Sequence, residues 1–375
     1  MRYGFLIVLA VLLGSIIWTC RCFWHILPLP SWGKWAFTVL YVLSFLVIFP
    51  HFIWGDRMSL SLATATYELG TSWMIFFLYA LILFAILYLG KVFRIVPGTF
   101  LKDSLPGSCT VLGIIAFLLI CGNLHYRHKH REVIDICTEK YLERPLTLVL
   151  ASDLHVGYCN RRAELSRWVD LINAENPDIV LFAGDIVDGA LRPVREGRYE
   201  EEFRRLEQEV YACLGNHEYI SGSNGSEKFY ADAGITLLKD SSVCSQGIRI
   251  TGRDDRANPS RKALEDIAPA DSLFTILLDH QPSHLEEAEA AGVDFQFSGH
   301  THHGQVWPLN WITDAIFEKA FGHYQKGNTR YYISSGLGLW GGKFRIGTRS
   351  EYIVLRLHNP VQGSSESHSG TENSR

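Results

Sequence analysis

The sequence predicts an all-α membrane region of four helices, followed by an α/β domain. Residues 1–125 contain few charges and long apolar runs, whereas residues 126–375 carry nearly all of the acids and bases. The apolar runs suit a bilayer, because a hydrocarbon core of about 30 Å needs about 20 residues of helix. The charged part alternates short apolar strands with helices, which is typical of a layered α/β domain.

Four apolar stretches predict the membrane helices, over residues 3–20, 35–54, 71–90 and 107–124 of a region that we place at 1–126. In the fourth stretch, Pro106 and Gly107 shorten the helical core. A signal peptide is the alternative for the first stretch, but residues 17–20 (Ile-Trp-Thr-Cys) offer no small-residue cleavage site. The prediction is therefore a multi-pass protein of the cell (inner) membrane.

The orientation in the membrane depends on the positive charges beside the stretches. An even number of spans places both ends of this sequence on the same side. The two sides carry equal numbers of flanking Lys and Arg until Lys140 and Arg144 are added to the side of the soluble domain. Since cytoplasmic segments carry an excess of Lys and Arg, this balance favours a cytoplasmic soluble domain.

The soluble domain is predicted over residues 127–360. Apolar runs predict strands at 133–136, 146–151, 178–183, 210–214, 247–252, 273–278, 293–297, 331–334 and 351–357. Helices are predicted at 162–173, 199–208, 226–233 and 286–291. Residues 361–375 are rich in Ser, Glu and Gly, which predicts a disordered tail. No nucleic-acid partner is expected, because a net charge of −4 is too small to argue for one. The oligomeric state is left open.

Side chains of metal-ligating type follow several predicted strands. They occur in the segments Asp153-Leu154-His155, Gly184-Asp185, Gly215-Asn216-His217-Glu218, Asp279-His280 and Gly299-His300-Thr301-His302. Because ligands gather beyond the carboxyl ends of strands in open α/β sheets, we expect these side chains to converge. Mixed Asp, Asn and His ligation suits manganese, iron or zinc better than calcium. Two such cations can clamp both oxygens of a displacement at phosphorus.

This ordered set of motifs resembles the calcineurin-like metallophosphoesterases. The resemblance covers residues 146–357 and points to a bacterial membrane-associated phosphodiesterase subgroup, whose motifs match residues 152–157, 184–189 and 298–305. It implies a four-layer αββα sandwich with two divalent metal ions at the sheet ends. It also implies hydrolysis of a phosphodiester or pyrophosphate by a metal-bridging hydroxide.

The resemblance implies a role for each motif residue. The ligands of one metal ion would be Asp153, His155, Asp185 and His302. Those of the other would be Asp185, Asn216, His280 and His300. His217 would lie beside the scissile phosphate, stabilise its charge and protonate the leaving oxygen. Glu218 would orient its neighbours, and Asp188 is interpreted as a residue that shapes its loop.

Three more residues are candidate substrate contacts. His303 stands where the subgroup usually has Gly, and a bystander or orienting group is the alternative. Trp307 and Trp311 lie in an apolar run that either packs in the core or forms a wall for lipid tails. Arg345 is placed to meet a substrate phosphate, although a lone Arg near a terminus is more often a surface charge.

The expected function is hydrolysis of a phosphoester of a membrane lipid or lipid precursor. One concrete form is the pyrophosphatase that cleaves UDP-linked diacylglucosamine in lipid A synthesis. The alternative from another class is an inactive, metal-binding membrane sensor or scaffold, against which the filled motif positions argue. A transporter is not indicated, because the cores of the four stretches contain no Asp, Glu, Lys or Arg.

Overall fold

The computed structural model of the chain describes residues 2–268 and 271–360. The tail predicted at 361–375 lies outside these residues. Within them, four helical segments are long and apolar enough to cross a membrane, namely Leu6–Ile26, Ser31–Arg57, Leu60–Val92 and Leu105–Arg127. The predicted class of the N-terminal region is therefore confirmed.

The membrane region contains five helices among its described residues. They are α1 (Arg2–Ile26), α2 (Ser31–Leu46), α3 (Ile48–Trp54), α4 (Leu60–Val92) and α5 (Leu105–Arg127). Helices α2 and α3 form one interrupted span, since Pro50 has no N–H to donate to the carbonyl of Leu46. The Ser59 hydroxyl accepts the backbone N–H of Leu62, which caps the start of α4. Helix α4 begins well before the predicted span at 71–90, and its first turns lie against the soluble domain.

The spans pack together through aromatic side chains. The ring of Phe23 on α1 lies 4.9 Å from that of Phe37 on α2 and 4.8 Å from that of Phe84 on α4. The ring of Tyr41 lies 5.2 Å from that of Trp73. Such tilted and edge-on pairs add to the stability that apolar burial gives. The region therefore has a core of its own.

The soluble domain forms two six-stranded sheets within its described residues. In order across the first sheet lie β1 (Lys129–Cys137), β12 (Ser350–His358), β2 (Leu146–Ala151), β3 (Ile179–Ala183), β4 (Glu209–Cys213) and β5 (Thr236–Leu237). Across the second lie β10 (Gly322–Lys326), β11 (Thr329–Ile333), β9 (Phe295–Ser298), β8 (Phe274–Leu278), β7 (Ile248–Gly252) and β6 (Ser241–Ser245).

The two sheets pack face to face between helices, which confirms the predicted αββα sandwich. Alternate residues of one strand serve the two faces: Leu148 of β2 joins the core between the sheets, whereas Val149 faces outward. The outer helices are α6 (Arg162–Ala174), α7 (Arg192–Glu196), α8 (Glu200–Phe203), α10 (Ser223–Asp232) and α11 (Leu285–Ala290). Trp168 of α6 packs with the outer side of the first sheet, and Leu285 of α11 with that of the second.

The helix predicted at 199–208 is wrong in extent. Only the four residues of α8 are helical, because the chain turns at Leu206, whose N–H donates to the carbonyl of Phe203, and then enters β4. Its charged composition indicated exposure but carried no signal for this turn. Three further short helices were not predicted, namely α7, α9 (Asn216–Ser221) and α12 (Leu309–Ile316).

The membrane region docks on the edge of the sandwich that carries the predicted site. The backbone N–H of Arg345 donates to the carbonyl of Gly122 on α5 at 3.0 Å. The Tyr79 hydroxyl of α4 donates to the carbonyl of Trp307 at 2.7 Å. The Arg192 guanidinium donates to three carbonyls between α3 and α4, those of Gly55, Asp56 and Met58.

Candidate metal centre

The candidate centre is built at the carboxyl ends of strands. Strands β2, β3 and β4 are parallel neighbours in the first sheet, and β8 and β9 are parallel neighbours in the second. The motif residues follow these five strands directly, so both sheets deliver side chains to one edge of the sandwich.

The backbone at this edge is unusual. Five predicted ligands have a positive φ, namely Asp153 (53°), His155 (45°), Asp185 (52°), His300 (70°) and His302 (48°). Such conformations are uncommon outside glycine and concentrate at functional sites, where the surrounding structure maintains them. The flanking glycines also have a steric role, since a Cβ on Gly299 would overlap the Asp153 carboxylate.

One group of donor atoms comprises Asp153, His155 and His302, whose ligand atoms all lie within 4.8 Å of one another. His302 Nε2 lies 3.5 Å from Asp153 Oδ1 and 3.0 Å from His155 Nε2. His155 Nε2 lies 3.7 Å from Asp185 Oδ2. The ligand atoms of these four side chains thus lie close to one another.

A second group comprises Asp185, His280 and His300, again within 4.8 Å. His280 Nε2 lies 3.1 Å from Asp185 Oδ2. Asn216 Oδ1 lies 2.9 Å from His300 Nδ1 and 3.3 Å from His280 Nε2, so the amide oxygen of Asn216 completes the group. Asp185 belongs to this group and lies next to His155 of the first, which is the place expected of a bridging carboxylate.

These residues fit a pair of divalent cations. Burial lowers the pKa of His300 to about 4 and lowers that of His302 as well, so both imidazoles are neutral at pH 7, as metal ligation requires. The Asp153 and Asp185 side chains are both buried, and burying a carboxylate is costly unless a cation or hydrogen bonds compensate its charge. The donor atoms are nitrogen and hard oxygen, which suits manganese, iron or zinc.

His217 lies beside the two groups, at the start of α9. Its backbone N–H donates to Asp185 Oδ1 at 2.8 Å, and its ring centroid is 4.5 Å from that of His155. Its Nδ1 lies 3.2 Å from Asp188 Oδ1. Burial lowers the pKa of His217, but the carboxylates of Asp188, Asp185 and Glu218 together outweigh burial, and the pKa rises to about 9. His155, Asp185 and His217 also form a third candidate ligand group.

Glu218 supports the backbone under the centre. Its carboxylate is fully buried and accepts the N–H groups of Asp185 at 3.0 Å, Val187 at 3.0 Å and Gly215 at 2.7 Å. These hydrogen bonds stabilise the turn that orients the Asp185 side chain. Glu218 is therefore an orienting residue, in keeping with the sequence interpretation, since its oxygens face backbone and away from the cavity.

Asp188 does more than shape its loop. Its carboxylate is buried between two imidazoles, with Oδ1 3.6 Å from His155 Nδ1 and 3.2 Å from His217 Nδ1. Its Oδ2 accepts a hydrogen bond from the hydroxyl of Tyr67 at 2.9 Å. The interpretation from the sequence, that Asp188 shapes its loop, did not include these contacts.

The proposed contact between Arg345 and substrate is wrong. The Arg345 side chain is 1% exposed and lies beneath the centre, where it donates to the carbonyls of His302, Ser335 and Gly338. A guanidinium committed to buried backbone oxygens has no free face for a phosphate. Arg345 instead holds the main chain of a predicted metal ligand.

The other two substrate candidates lie to one side of the donor groups. The His303 ring stacks on Phe321 at 4.7 Å, and His303 lines a cavity of about 570 Å³ with Leu118 and His125 of α5. The Trp307 ring lies edge-on to that of Trp311 at 5.3 Å. Both His303 and Trp307 are therefore near the membrane region, since the carbonyl of Trp307 also accepts the hydrogen bond from Tyr79.

A second cavity, of about 440 Å³, opens beside His217. The soluble domain contributes Asp188, His217, Ile220 and Trp340 to its lining. The membrane region contributes His51, Phe52, Ile53, Asp56 and Tyr67. The wall next to the predicted catalytic histidine is thus built partly by α3 and α4, which could not be expected from the sequence.

Residues 146–304 match the family model described as calcineurin-like phosphoesterase. This chain contains a calcineurin-like metallophosphoesterase domain. It is 31% identical over 226 residues to an uncharacterized metallophosphoesterase of Helicobacter pylori, covering 58% of this chain and 60% of the relative. It is 30% identical over 275 residues to a transmembrane protein with metallophosphoesterase domain of Danio rerio, covering 66% and 62%.

Among solved structures, the metallophosphoesterase domain is similar to a dimetal phosphatase from Danio rerio. That match has a TM-score of 0.35 and 12% identity, and it covers 52% of this chain and 88% of the other. An archaeal phosphodiesterase matches with a TM-score of 0.31 and 16% identity, covering 52% and 84%. The matches to the Helicobacter relatives span about 60% of the length of those proteins.

Proposed function

We propose that this protein is a membrane-anchored, metal-dependent hydrolase of a phosphodiester or pyrophosphate in a membrane lipid or lipid precursor. The observation that carries the proposal is the position of Asp185, which belongs to one group of buried donor atoms and lies 3.7 Å from His155 of the other group. Two metal ions bound there would activate water and neutralise the charge of a phosphoryl group.

The ligand assignment follows the geometry of the two donor groups. One metal position takes Asp153, His155, Asp185 and His302, and the other takes Asp185, Asn216, His280 and His300. Asp185 would be the ligand that the two metal ions share. His217 lies beside both metal positions. In this proposal it stabilises the phosphoryl oxygens and, as a general acid, protonates the leaving oxygen.

Three features support a lipid substrate. The strand-end edge that carries the donor groups is also the edge on which α4 and α5 dock. The cavity beside His217 is lined by both parts of the chain. Its apolar lining includes the exposed side chains of Phe52, Ile53 and Ile220, next to a group suited to phosphate chemistry. A molecule with a phosphoester head and an apolar body fits both surfaces.

We place the protein in the cell (inner) membrane as a multi-pass protein with a cytoplasmic catalytic domain. The four apolar helices and the relatives named as transmembrane proteins support membrane association. The side of the membrane follows from the Lys and Arg balance of the flanking segments. The metals proposed are manganese, iron or zinc.

The activity is tested on the full chain in detergent or nanodiscs, with a nitrophenyl phosphodiester and with added Mn²⁺, Fe²⁺ or Zn²⁺. We expect metal-dependent hydrolysis that falls at least a hundredfold in Asn216→Ala and His217→Ala, the range usual for an essential catalytic group. His284→Ala is the matched control, because His284 is exposed and lies on the α11 side of the domain. Wild-type protein inactive with every metal, or full activity in both site variants, would refute the proposal.

A further inference from the structure

The hydroxyl of Tyr67 connects the membrane region to the candidate active site. Tyr67 lies in the second turn of α4, and its hydroxyl donates to Asp188 Oδ2 at 2.9 Å. Both side chains are buried, with exposed fractions of 4% for Tyr67 and 3% for Asp188. A buried hydrogen bond to a carboxylate is among the stronger kinds in proteins, so this contact fixes the position of Asp188.

Asp188 links Tyr67 to two imidazoles. Its other oxygen, Oδ1, lies 3.2 Å from His217 Nδ1 and 3.6 Å from His155 Nδ1. Among the described residues, polar side-chain contacts to Asp188 come from Tyr67, His155 and His217. Tyr67 is therefore the neighbour that can set the rotation of this carboxylate independently of the two histidines.

The Tyr67 ring is itself held by aromatic packing. It lies 4.9 Å from the ring of His51 on α3 and 5.7 Å from that of Tyr158 in the soluble domain. His51 Nδ1 lies 2.9 Å from the carbonyl oxygen of Ala63, which ties α3 to α4. The rings of His51 and Tyr158 also lie 4.8 Å from each other, so the three rings form one packed cluster that restricts the Tyr67 side chain.

The helix that carries Tyr67 is also fixed to the domain. Glu68, the next residue, accepts a hydrogen bond from the Arg161 guanidinium at 2.7 Å. Gly342 lies so close to α4 that a Cβ there would come within 3.1 Å of the Ser72 Cα. Contacts of the residues that follow Tyr67 therefore hold α4 against the soluble domain.

We propose that Tyr67 is a positioning residue of the hydrolase, which orients Asp188 so that Asp188 holds His217 against the reacting phosphate. The inference rests on the proposed function and extends it: the membrane region completes the active site as well as anchoring it. Tyr67 does not contact substrate, so its removal affects turnover rather than substrate binding.

The test is a double-mutant cycle on the full chain with the nitrophenyl phosphodiester. Tyr67→Phe removes the hydroxyl and keeps the ring, and we expect kcat to fall about tenfold with KM unchanged, the loss typical of one buried charge-assisted hydrogen bond. In a His217→Ala background the same substitution should change kcat less than twofold, because its effect acts through His217. Thermal unfolding of each variant reports whether it folds.

Tyr41→Phe is the control, since it also removes a buried hydroxyl from the membrane region, one that bonds to Thr19 at 3.0 Å. It should leave kcat unchanged. Unchanged kcat in Tyr67→Phe, or an equal fall in both backgrounds, overturns the positioning role while the hydrolase proposal stands. Wild-type protein without activity removes both proposals.

Discussion

Arg345 illustrates at the residue scale how a side chain can be essential to a site without meeting its substrate. It is a fully buried cation whose donors all reach main-chain or hydroxyl oxygens, including the carbonyl of His302. Burial lowers the pKa of Arg345 to about 10, so the guanidinium stays charged at pH 7. The sequence offered no clue to this role, because an isolated Arg near the end of a chain looks like a surface charge.

Replacing Arg345 with Met should destabilise the protein and weaken metal binding together. Several buried carbonyls would lose their donors, at a cost of about 1–3 kcal/mol for each unsatisfied group. Because one of them belongs to His302, we also expect manganese affinity to fall about tenfold. Thermal unfolding and a manganese titration measure the two effects. Arg356→Met is the control, since Arg356 is exposed on β12, and equal behaviour of the two variants would contradict the role.

The donor residues themselves were easier to predict. Each stands directly after a buried apolar strand, as with Asp153 after β2 and Asp185 after β3. The strand ends fix where the side chains start, and the parallel order of the strands brings them together. Burial of Asp188 and its contact with Tyr67 were not predictable, since Tyr67 comes from a part of the chain that looked like an anchor alone.

Helix α12 shows at the element scale why an apolar run is ambiguous. Residues 306–312 suggested either a core segment or a wall for lipid, and no helix was predicted there. The structure forms α12 and leaves Trp311 63% exposed and Ile316 69% exposed. A short helix with an exposed apolar face, tied to α4 through Tyr79, suits the membrane interface.

The Trp307→Ser, Trp311→Ser double variant should depress hydrolysis of a long-chain lipid phosphoester more than that of a short soluble one. Burial of about 100 Å² of apolar surface is worth about 2.5 kcal/mol, so kcat/KM for the long-chain lipid should fall at least tenfold. Activity on the soluble ester should stay within twofold. Tyr141→Ser, at an exposed aromatic residue of the soluble domain, is the control. Equal losses on both substrates would reject a lipid-facing role for these tryptophans.

Sequence reasoning located the elements with strong apolar character and missed those without it. Strand β2 lies where it was expected, at 146–151, because its residues are buried on both faces. Strands β6 and β10 at the sheet edges contain mainly polar residues and gave no signal. Helix α4 begins earlier than predicted. The polar side chains that follow Leu60 interrupt the apolar pattern, but packing against the soluble domain maintains the helix there.

At the scale of the whole molecule, the two parts of the chain form one unit. The contacts that join them pair residues far apart in sequence, such as Tyr67 with Asp188 and Tyr79 with Trp307. No periodicity or composition encodes such pairs. For this reason the sequence predicted a catalytic domain and an anchor, and gave no sign that they share a cavity.

The proposed cytoplasmic orientation can be tested with the native cysteines. All eight lie within the described residues and are free, and Cys137 and Cys244 are exposed on the soluble domain. A membrane-impermeant maleimide should label them only after the cells are permeabilised. The Cys137→Ser, Cys244→Ser variant gives the background from the remaining cysteines. Labelling of these two residues in intact cells would place the domain on the outer side.

The two tyrosine contacts of α4 also determine how the soluble domain can meet a substrate. Tyr67 meets the soluble domain at Asp188 and Tyr79 meets it at Trp307, about 18 Å apart along the axis at a rise of about 1.5 Å per residue. A domain that is attached to one rigid helix at two positions along its axis cannot rotate freely relative to the bilayer. We therefore expect the candidate site to stay at one depth, where it would meet the proposed lipid substrate by diffusion in a plane rather than in a volume.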